Sequence, residues 1–125
     1  MPQTPHMRAE AELTAYGLTL PEAYVAPGFG PTRFLEVRRK GFAVFGDKGE
    51  PETALTITVK LPISAEMVQH LPFVREGSAW YRRNNWVIAH FGPEDDPLAE
   101  LETLKAWVKQ SYLAVAPKAL AKLVA

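Results

Sequence analysis

The chain has 125 residues, of which 47% are apolar and 22% are charged, and its formal net charge is zero. That length accommodates one domain with one core, and the neutral total excludes the strong overall positive field of a dedicated nucleic-acid clamp. The lack of cysteine excludes disulfides, thiolate nucleophiles and Cys-ligated zinc or iron–sulfur clusters.

The sequence has neither a signal-peptide pattern at its start nor an apolar run of membrane-spanning length. We therefore expect a cytoplasmic protein without a membrane partner. Its charges are unevenly placed: residues 29 to 90 hold nine Lys or Arg against six Asp or Glu, whereas the two flanks together hold five against eight. The middle of the chain is the basic part.

The first quarter of the chain predicts a helix followed by a connector. After a frayed start, helical character runs from His6 or Met7 to about Tyr16, and Gly17 is expected to be a left-handed stop. Residues 20 to 31 contain three prolines and two glycines. This composition is typical of an irregular crossing.

A three-stranded meander is predicted next. Residues 32 to 37 and 42 to 45 have the composition of paired strands, and the basic stretch from Arg38 to Gly41 between them predicts a tight turn. Residues 55 to 60 alternate apolar with Thr or Lys, which is the period of a strand with one wet face.

The following segment predicts a short helix and a second hairpin. Ser64 is a suitable N-cap for a helix to about Leu71. In residues 79 to 91, aromatic and β-branched residues flank Asn84-Asn85, a pair that tolerates positive φ and therefore predicts a two-residue hairpin turn. Such a turn sets Arg83 opposite Trp86 and gives this hairpin a basic tip too.

The last predicted element is an amphipathic helix. Asp96 is placed as its N-cap and Pro97 as its first residue, and apolar residues recur at spacings of three and four up to Ala116. Pro117 then predicts a kink or a short final helix.

The predicted order is α-β-β-β-α-β-β-α. We therefore expect a single domain of α+β class, in which a five-stranded antiparallel sheet is covered on one face by the N- and C-terminal helices.

Five stretches spread over the chain resemble the MmcQ/YjbR family of small bacterial domains. They are Leu20-Pro21-Glu22, the first hairpin with Phe34 to Val37 and Lys40-Gly41-Phe42-Ala43, the strand from Leu55 to Lys60, the segment from Tyr81 to Trp86, and Ser111-Tyr112. The resemblance implies a fold similar to that of bacterial frataxin. It also implies a DNA-binding module of double-wing type, with an accessory or regulatory role. Family members usually have Lys or His near the second hairpin tip, where this chain has Asn84 and Asn85.

The basic residues of the two predicted tips are the candidate nucleic-acid contacts. Short β-ribbons reach phosphates or a groove of double-stranded DNA, and five basic groups would neutralise a few phosphates and give salt-sensitive binding. The candidate residues are Arg38, Arg39, Lys40, Arg82 and Arg83. The hypothesis requires both tips to project from the same side of the molecule, free of neighbouring carboxylates. Otherwise these charges only solubilise two turns.

Aromatic residues of the second hairpin offer an alternative surface. Trp80 and Trp86, with Tyr81 and Phe91, would form a stacking platform for single strands if they were exposed, or a surface for a protein partner. The competing interpretation is that they pack under a helix. A small-ligand site would require a concave pocket around Trp86 and His90.

No catalytic constellation is recognisable in the sequence. Its serines lie outside any nucleophile motif, and the acidic run at residues 94 to 96 is explained by helix capping. The spacing of the histidines does not fit a metal site, and His6 is expected to be disordered. We therefore expect a protein that is not an enzyme and has no cofactor and no bound metal.

Overall fold

The fold is an antiparallel sheet with helices against it, and a computed structural model describes it for residues 4–28, 30, 32–46 and 53–124. The helices are α1 (Pro5–Leu18), α2 (Ala79–Arg83), α3 (Leu101–Val115) and α4 (Lys118–Ala121). The strands are β1 (Tyr24–Pro27), β2 (Arg33–Val37), β3 (Lys40–Phe45), β4 (Leu55–Lys60), β5 (Val74–Arg75) and β6 (Trp86–Phe91).

The α+β class with an antiparallel sheet is confirmed. The strand order is β1-β2-β3-β4-β6-β5, and each neighbouring pair is antiparallel. The expected count of five strands is wrong, because the described residues form six. In the described part of the chain, no helix is long and apolar enough to cross a membrane.

Two strands, β1 and β5, are additional to the prediction and form the two edges of the sheet, whereas the strand predicted before Asn84 is helical. Strand β1 lies inside the stretch predicted to be irregular. Tyr24 pairs with Glu36 and Pro27 with Arg33. Proline is tolerated here because an edge strand has one side without ladder hydrogen bonds. The Pro and Gly content therefore misled the prediction, while Tyr24 and Val25 carried the strand signal.

The hairpin predicted around Asn84-Asn85 is also wrong, because residues 79–83 form helix α2. The Ser78 side chain caps this helix by accepting a hydrogen bond from the Tyr81 N–H, at 3.5 Å. Asn84 is the C-cap and Asn85 follows with φ of 63°, which is the left-handed ending that Asn allows. The sequence did indicate a turn at the asparagines, but it is a helix ending.

Two smaller expectations fail for reasons of packing. The segment from Ser64 to Leu71 forms isolated turns, and the Ser64 hydroxyl accepts a hydrogen bond from the Gln110 side chain at 3.2 Å. Gly17 lies within α1, and a Cβ there would stand 2.5 Å from the Leu35 side chain. Its role is therefore close approach of helix to sheet.

The buried core lies between the sheet and the helices α1 and α3. Strand residues that face these helices are buried, as the alternation of buried and half-buried residues in β6 shows. His6, expected to be disordered, is a buried residue of α1, and its Nε2 is 2.8 Å from the Gly92 carbonyl oxygen.

The predicted start signal of α3 is confirmed. The Asp96 side chain accepts a hydrogen bond from the Leu98 N–H, and a 3₁₀ turn at Pro97–Glu100 leads into α3.

Ser111 of α3 joins two strands at the point where their ladder stops. Its hydroxyl donates to the Phe42 carbonyl of β3 and accepts from the Lys60 N–H of β4 at 2.9 Å. The β3–β4 pairing runs only from Ala43 opposite Val59 to Phe45 opposite Ile57. The serine thus satisfies backbone groups that the sheet leaves unpaired.

We expect Ser111→Ala to lower the free energy of unfolding by about 1–3 kcal/mol, because it leaves a buried carbonyl and a strand N–H without their partner. Urea unfolding followed by circular dichroism would measure the change. Thr103→Ala, at an exposed position of the same helix, is the matched control and should have an effect near zero. Equal effects of the two substitutions would contradict the bridging role.

Candidate functional site

The strand register brings the basic residues of the two predicted tips to the same edge of the sheet, namely the edge formed by the ends of the strands. The Arg38-Arg39 turn joins β2 to β3, and β4 ends at this edge with Lys60. Lys60 pairs with Trp86, the first residue of β6, which directly follows the end of α2. Two strand spacings, about 10 Å, therefore separate β3 from β6.

We call the basic side chains at this sheet edge the cationic edge. It consists of Arg38, Arg39, Lys40, Lys60, Arg82 and Arg83. Five of these were predicted, although Arg82 and Arg83 reach the edge from helix α2 and not from a hairpin tip. Lys60 was missed, but the alternation of β4 already indicated that it points to the wet face at the strand end.

The Arg38-Arg39 turn has an unusual backbone. Arg38 and Arg39 have φ of 50° and 66°, which is the pattern of a type I′ turn, normally formed by Asn and Gly. Left-handed φ costs a residue with a Cβ roughly 1–2 kcal/mol. The fold therefore accepts two unfavourable conformations in order to present arginine at both turn positions.

Two of the predicted arginines are engaged by carboxylates. The Arg38 guanidinium donates to both Glu22 oxygens, at 2.6 and 2.9 Å, and this contact lowers the pKa of Glu22 and raises that of Arg38. Arg82 donates to Glu76 at 3.1 Å. Both pairs are largely exposed, so solvent and salt weaken them.

The remaining four basic side chains of the edge have no carboxylate within 4.0 Å among the described residues. They are Arg39, Lys40, Lys60 and Arg83. The expectation of free charges therefore holds for this set and is wrong for Arg38 and Arg82.

Tyr112 supports the turn that carries Glu22. Its hydroxyl donates to the Pro21 carbonyl at 2.7 Å, and its ring packs edge-on against Phe42. Burial of the phenol raises the pKa of Tyr112. Tyr24 completes the arrangement, because its hydroxyl donates to Glu36 and accepts the Arg39 backbone N–H.

A groove lies on the sheet face opposite α1 and α3 and ends at the cationic edge. Its volume is about 610 Å³. The strands supply Phe34, Val44, Thr56, Thr58, Trp86 and Ile88, and helix α2 and the residues before it supply Arg75, Glu76, Trp80 and Tyr81. We call it the open-face groove. Its lining is mainly apolar and aromatic, with three threonines, one basic and one acidic side chain.

The aromatic residues of the predicted platform are divided between the two faces. Trp80 is 55% exposed and makes an edge-to-face contact with Tyr81, at 5.4 Å between ring centres. Trp86 is half-buried in the groove. Phe91 is buried on the other face and stacks on Phe73, so it packs in the core as the competing interpretation expects and does not belong to the platform.

Phe34 belongs to the groove although the sequence gave no reason to select it. A Cβ on Gly28 would stand 2.6 Å from the Phe34 ring, and one on Gly41 would stand 3.3 Å from it. These two glycines therefore make room for the ring on the groove floor. Their spacing in the sequence does not reveal that they flank one side chain.

Polar residues farther from the groove form no recognisable metal centre. The His90 Nδ1 lies 2.9 Å from the Thr56 hydroxyl, and His90 is not among the groove-lining residues. Within the described ranges, no group of three or more His, Asp or Glu side chains is arranged to hold a metal ion.

No model of a known protein family matches this chain, and no curated protein sequence matches it significantly. The resemblance to the MmcQ/YjbR family therefore stays a prediction that rests on its own residues.

We expect the stability difference between the native protein and Tyr112→Phe to depend on pH. Near neutrality the variant loses the hydrogen bond to Pro21 and about 1 kcal/mol. Because burial raises the folded-state pKa of Tyr112 above 10.0, the native protein loses stability as the pH rises through that folded-state pKa. The variant lacks this component, so the difference should narrow as the pH rises above 10. A difference independent of pH would contradict the burial effect.

Proposed function

We propose that this chain is a nucleic-acid-binding domain whose cationic edge contacts phosphates. The observation that carries the proposal is the convergence of the Arg38-Arg39 turn, Lys60 and the C-terminal end of α2 on one sheet edge. Arginine and lysine side chains in a row attract a polyanion and release its counterions.

The local charge balance supports this proposal despite the neutral total. Among the residues that the structure describes, the cationic edge and the groove together carry seven Lys or Arg, counting Arg75, against three acidic residues, Glu22, Glu36 and Glu76. The segment that leads into α3 holds a group of acidic residues instead, at residues 94 to 102. A polyanion approaching the molecule would therefore be drawn toward the cationic edge.

The turn conformation gives a second, independent reason. Asn or Gly at positions 38 and 39 would fit the positive φ values without strain. Arginine at both positions lowers stability, and unfavourable backbone conformations retained in this way cluster at functional sites.

The proposal departs in one respect from the double-wing arrangement that the family resemblance implies. The β2–β3 hairpin could serve as one wing, whereas helix α2 stands where the second hairpin was predicted. Double-stranded DNA is accordingly one probe among several in the test. A cytoplasmic location and an accessory, non-enzymatic role stay predictions.

We expect the protein to bind a labelled oligonucleotide at low salt with an affinity that falls steeply as salt rises. The triple variant Arg39→Ala, Lys40→Ala, Arg83→Ala should bind more weakly, and its slope of log affinity against log salt should flatten by roughly one for each lost contact. Lys109→Ala, Lys118→Ala, Lys122→Ala removes the same charge from α3 and α4 and is the control. Equal losses in the two triples, or no binding at low salt, would overturn the proposal.

Neutralising Glu22 should have the opposite effect. Glu22→Gln keeps the side-chain shape and releases Arg38 from its bidentate pair, so we expect tighter binding and a steeper salt dependence. Glu12→Gln, at an exposed position on α1, changes the net charge equally and should have a smaller effect. Fluorescence anisotropy titrations at several salt concentrations would measure both.

An Asn-Gly sequence in the β2–β3 turn tests whether these two arginines affect binding independently of the stability of the fold. Arg38→Asn with Arg39→Gly should raise the free energy of unfolding by about 1–2 kcal/mol, because both new residues accept positive φ. The same variant should bind nucleic acid more weakly. A loss of affinity in a more stable protein excludes unfolding as its cause, and unchanged affinity would remove the turn from the binding surface.

A protein-interaction module is the second candidate, favoured by one observation. Ile63 is 80% exposed and Met67 is 68% exposed, both in the irregular segment between β4 and β5. Large apolar side chains left in water often mark contact with another protein. Sedimentation of the native protein and of Ile63→Ser with Met67→Ser would show whether this segment drives self-association.

A further inference from the structure

We propose that the open-face groove holds the unpaired bases of a single-stranded nucleic acid while the cationic edge holds its phosphates. This inference rests on the proposed function and names the form of nucleic acid that the same surface accepts. The chemistry required is that of a chain with aromatic bases and a polyanionic backbone, supplied by either DNA or RNA.

The groove offers ring faces in the positions where bases would lie. Trp80 stands over the groove from α2 with more than half of its surface exposed, and Trp86 and Phe34 lie on the strands beneath. Aromatic side chains stack on bases without selecting a sequence, because every base has a π-face. The groove lining therefore suits bases in general.

The Trp80 ring contacts a neighbouring ring and still stays largely exposed. It meets the Tyr81 ring edge-on, and the Asn84 side chain donates to the Trp80 backbone carbonyl at 2.9 Å, which closes the end of α2. A ring that already has a neighbour on an ordered helix loses less conformational freedom when a base stacks on it than a ring on an unstructured segment would. The short helix thus serves as a support for its own aromatic residues.

Charge complementarity decides between occupants of this groove. An apolar protein segment would match the aromatic lining but would leave the cationic edge unpaired, whereas a nucleic-acid strand satisfies both surfaces. The distance of about 10 Å from β3 to β6 lets one strand pass along the edge while its bases turn onto the sheet.

A duplex would contact the cationic edge and leave the open-face groove empty. Its bases are stacked on one another and present edges to a groove, and their faces are hidden. A duplex bound at the cationic edge would leave Trp80 and Trp86 without a stacking partner. The geometry therefore predicts preference for the unpaired strand.

The test compares one sequence of about 12 nucleotides as single-stranded DNA, as single-stranded RNA and as a DNA duplex, with the full chain at about 50 mM salt. We expect at least one single strand to bind more tightly than the duplex and to quench tryptophan fluorescence. Trp80→Ala should weaken single-strand binding by about fivefold or more, the value of one stacked base, and should leave duplex binding unchanged. Trp80→Phe should retain most of the affinity, because it keeps a ring.

Two controls separate stacking from damage to the fold. Ile63→Ala removes an even more exposed apolar side chain that does not line the groove, and should leave single-strand affinity unchanged. Trp86→Ala tests the sheet side of the groove in the same way. If that variant fails to fold, Trp86→Phe replaces it, because it keeps a ring in the half-buried position. In the Trp80 variants the salt slope should stay that of the native protein, because no charge is removed.

The outcomes distinguish base stacking in the open-face groove from the proposed function, phosphate binding at the cationic edge. Equal affinity for the strand and the duplex, with no effect of Trp80→Ala but a clear loss in the Arg39, Lys40, Arg83 triple variant, overturns the stacking inference and leaves phosphate binding in place. Absence of binding to all three probes overturns both. A Trp80→Ala variant that changes the sedimentation of the protein and not its affinity for nucleic acid would assign the groove to a second copy of the chain, and would also overturn the inference.

Discussion

The register between β3, β4 and β6 is the constraint on which the candidate site depends. Ala43 opposite Val59 and Lys60 opposite Trp86 align the ends of these strands, and the alternation of side chains then sends Trp86 and Ile88 to one face and Val87 and Ala89 to the other. A slip of one residue would exchange the two faces. The buried face prevents such a slip, since α1 and α3 require their apolar partners there. Core packing therefore positions the charges of the opposite face and edge.

Ser111 and Tyr112 show how α3 reaches through the fold to the cationic edge. The serine bridges β3 and β4 near that edge, and the adjacent tyrosine fixes the carbonyl of Pro21 next to Glu22. These contacts give Ser111 and Tyr112 of α3 a structural role, whatever the function of the edge they support.

Two opposing tendencies meet at the cationic edge. The positive φ of Arg38 and Arg39 lowers stability, and the carboxylates of Glu22 and Glu76 restrain one arginine of each basic group. Exposed ion pairs of this kind contribute little to folding, but they set how much positive charge is available. The two carboxylates thereby reduce the positive charge that this edge presents.

The sequence alone determined the α+β class, the β2–β3 hairpin, the capped start of the last helix and the basic character of the middle of the chain, because turn chemistry, capping and side-chain period are local properties. It indicated a turn at Asn84-Asn85 but assigned the wrong element before it, since the strand propensity of Trp80 and Tyr81 outweighed the weaker cap signal of Ser78. Only the tertiary structure decided that α2 carries these aromatics to the open face, that β1 completes the sheet edge, and that Arg38 and Arg82 meet carboxylates. Such contacts join residues distant in sequence, and they follow from packing that no local pattern records.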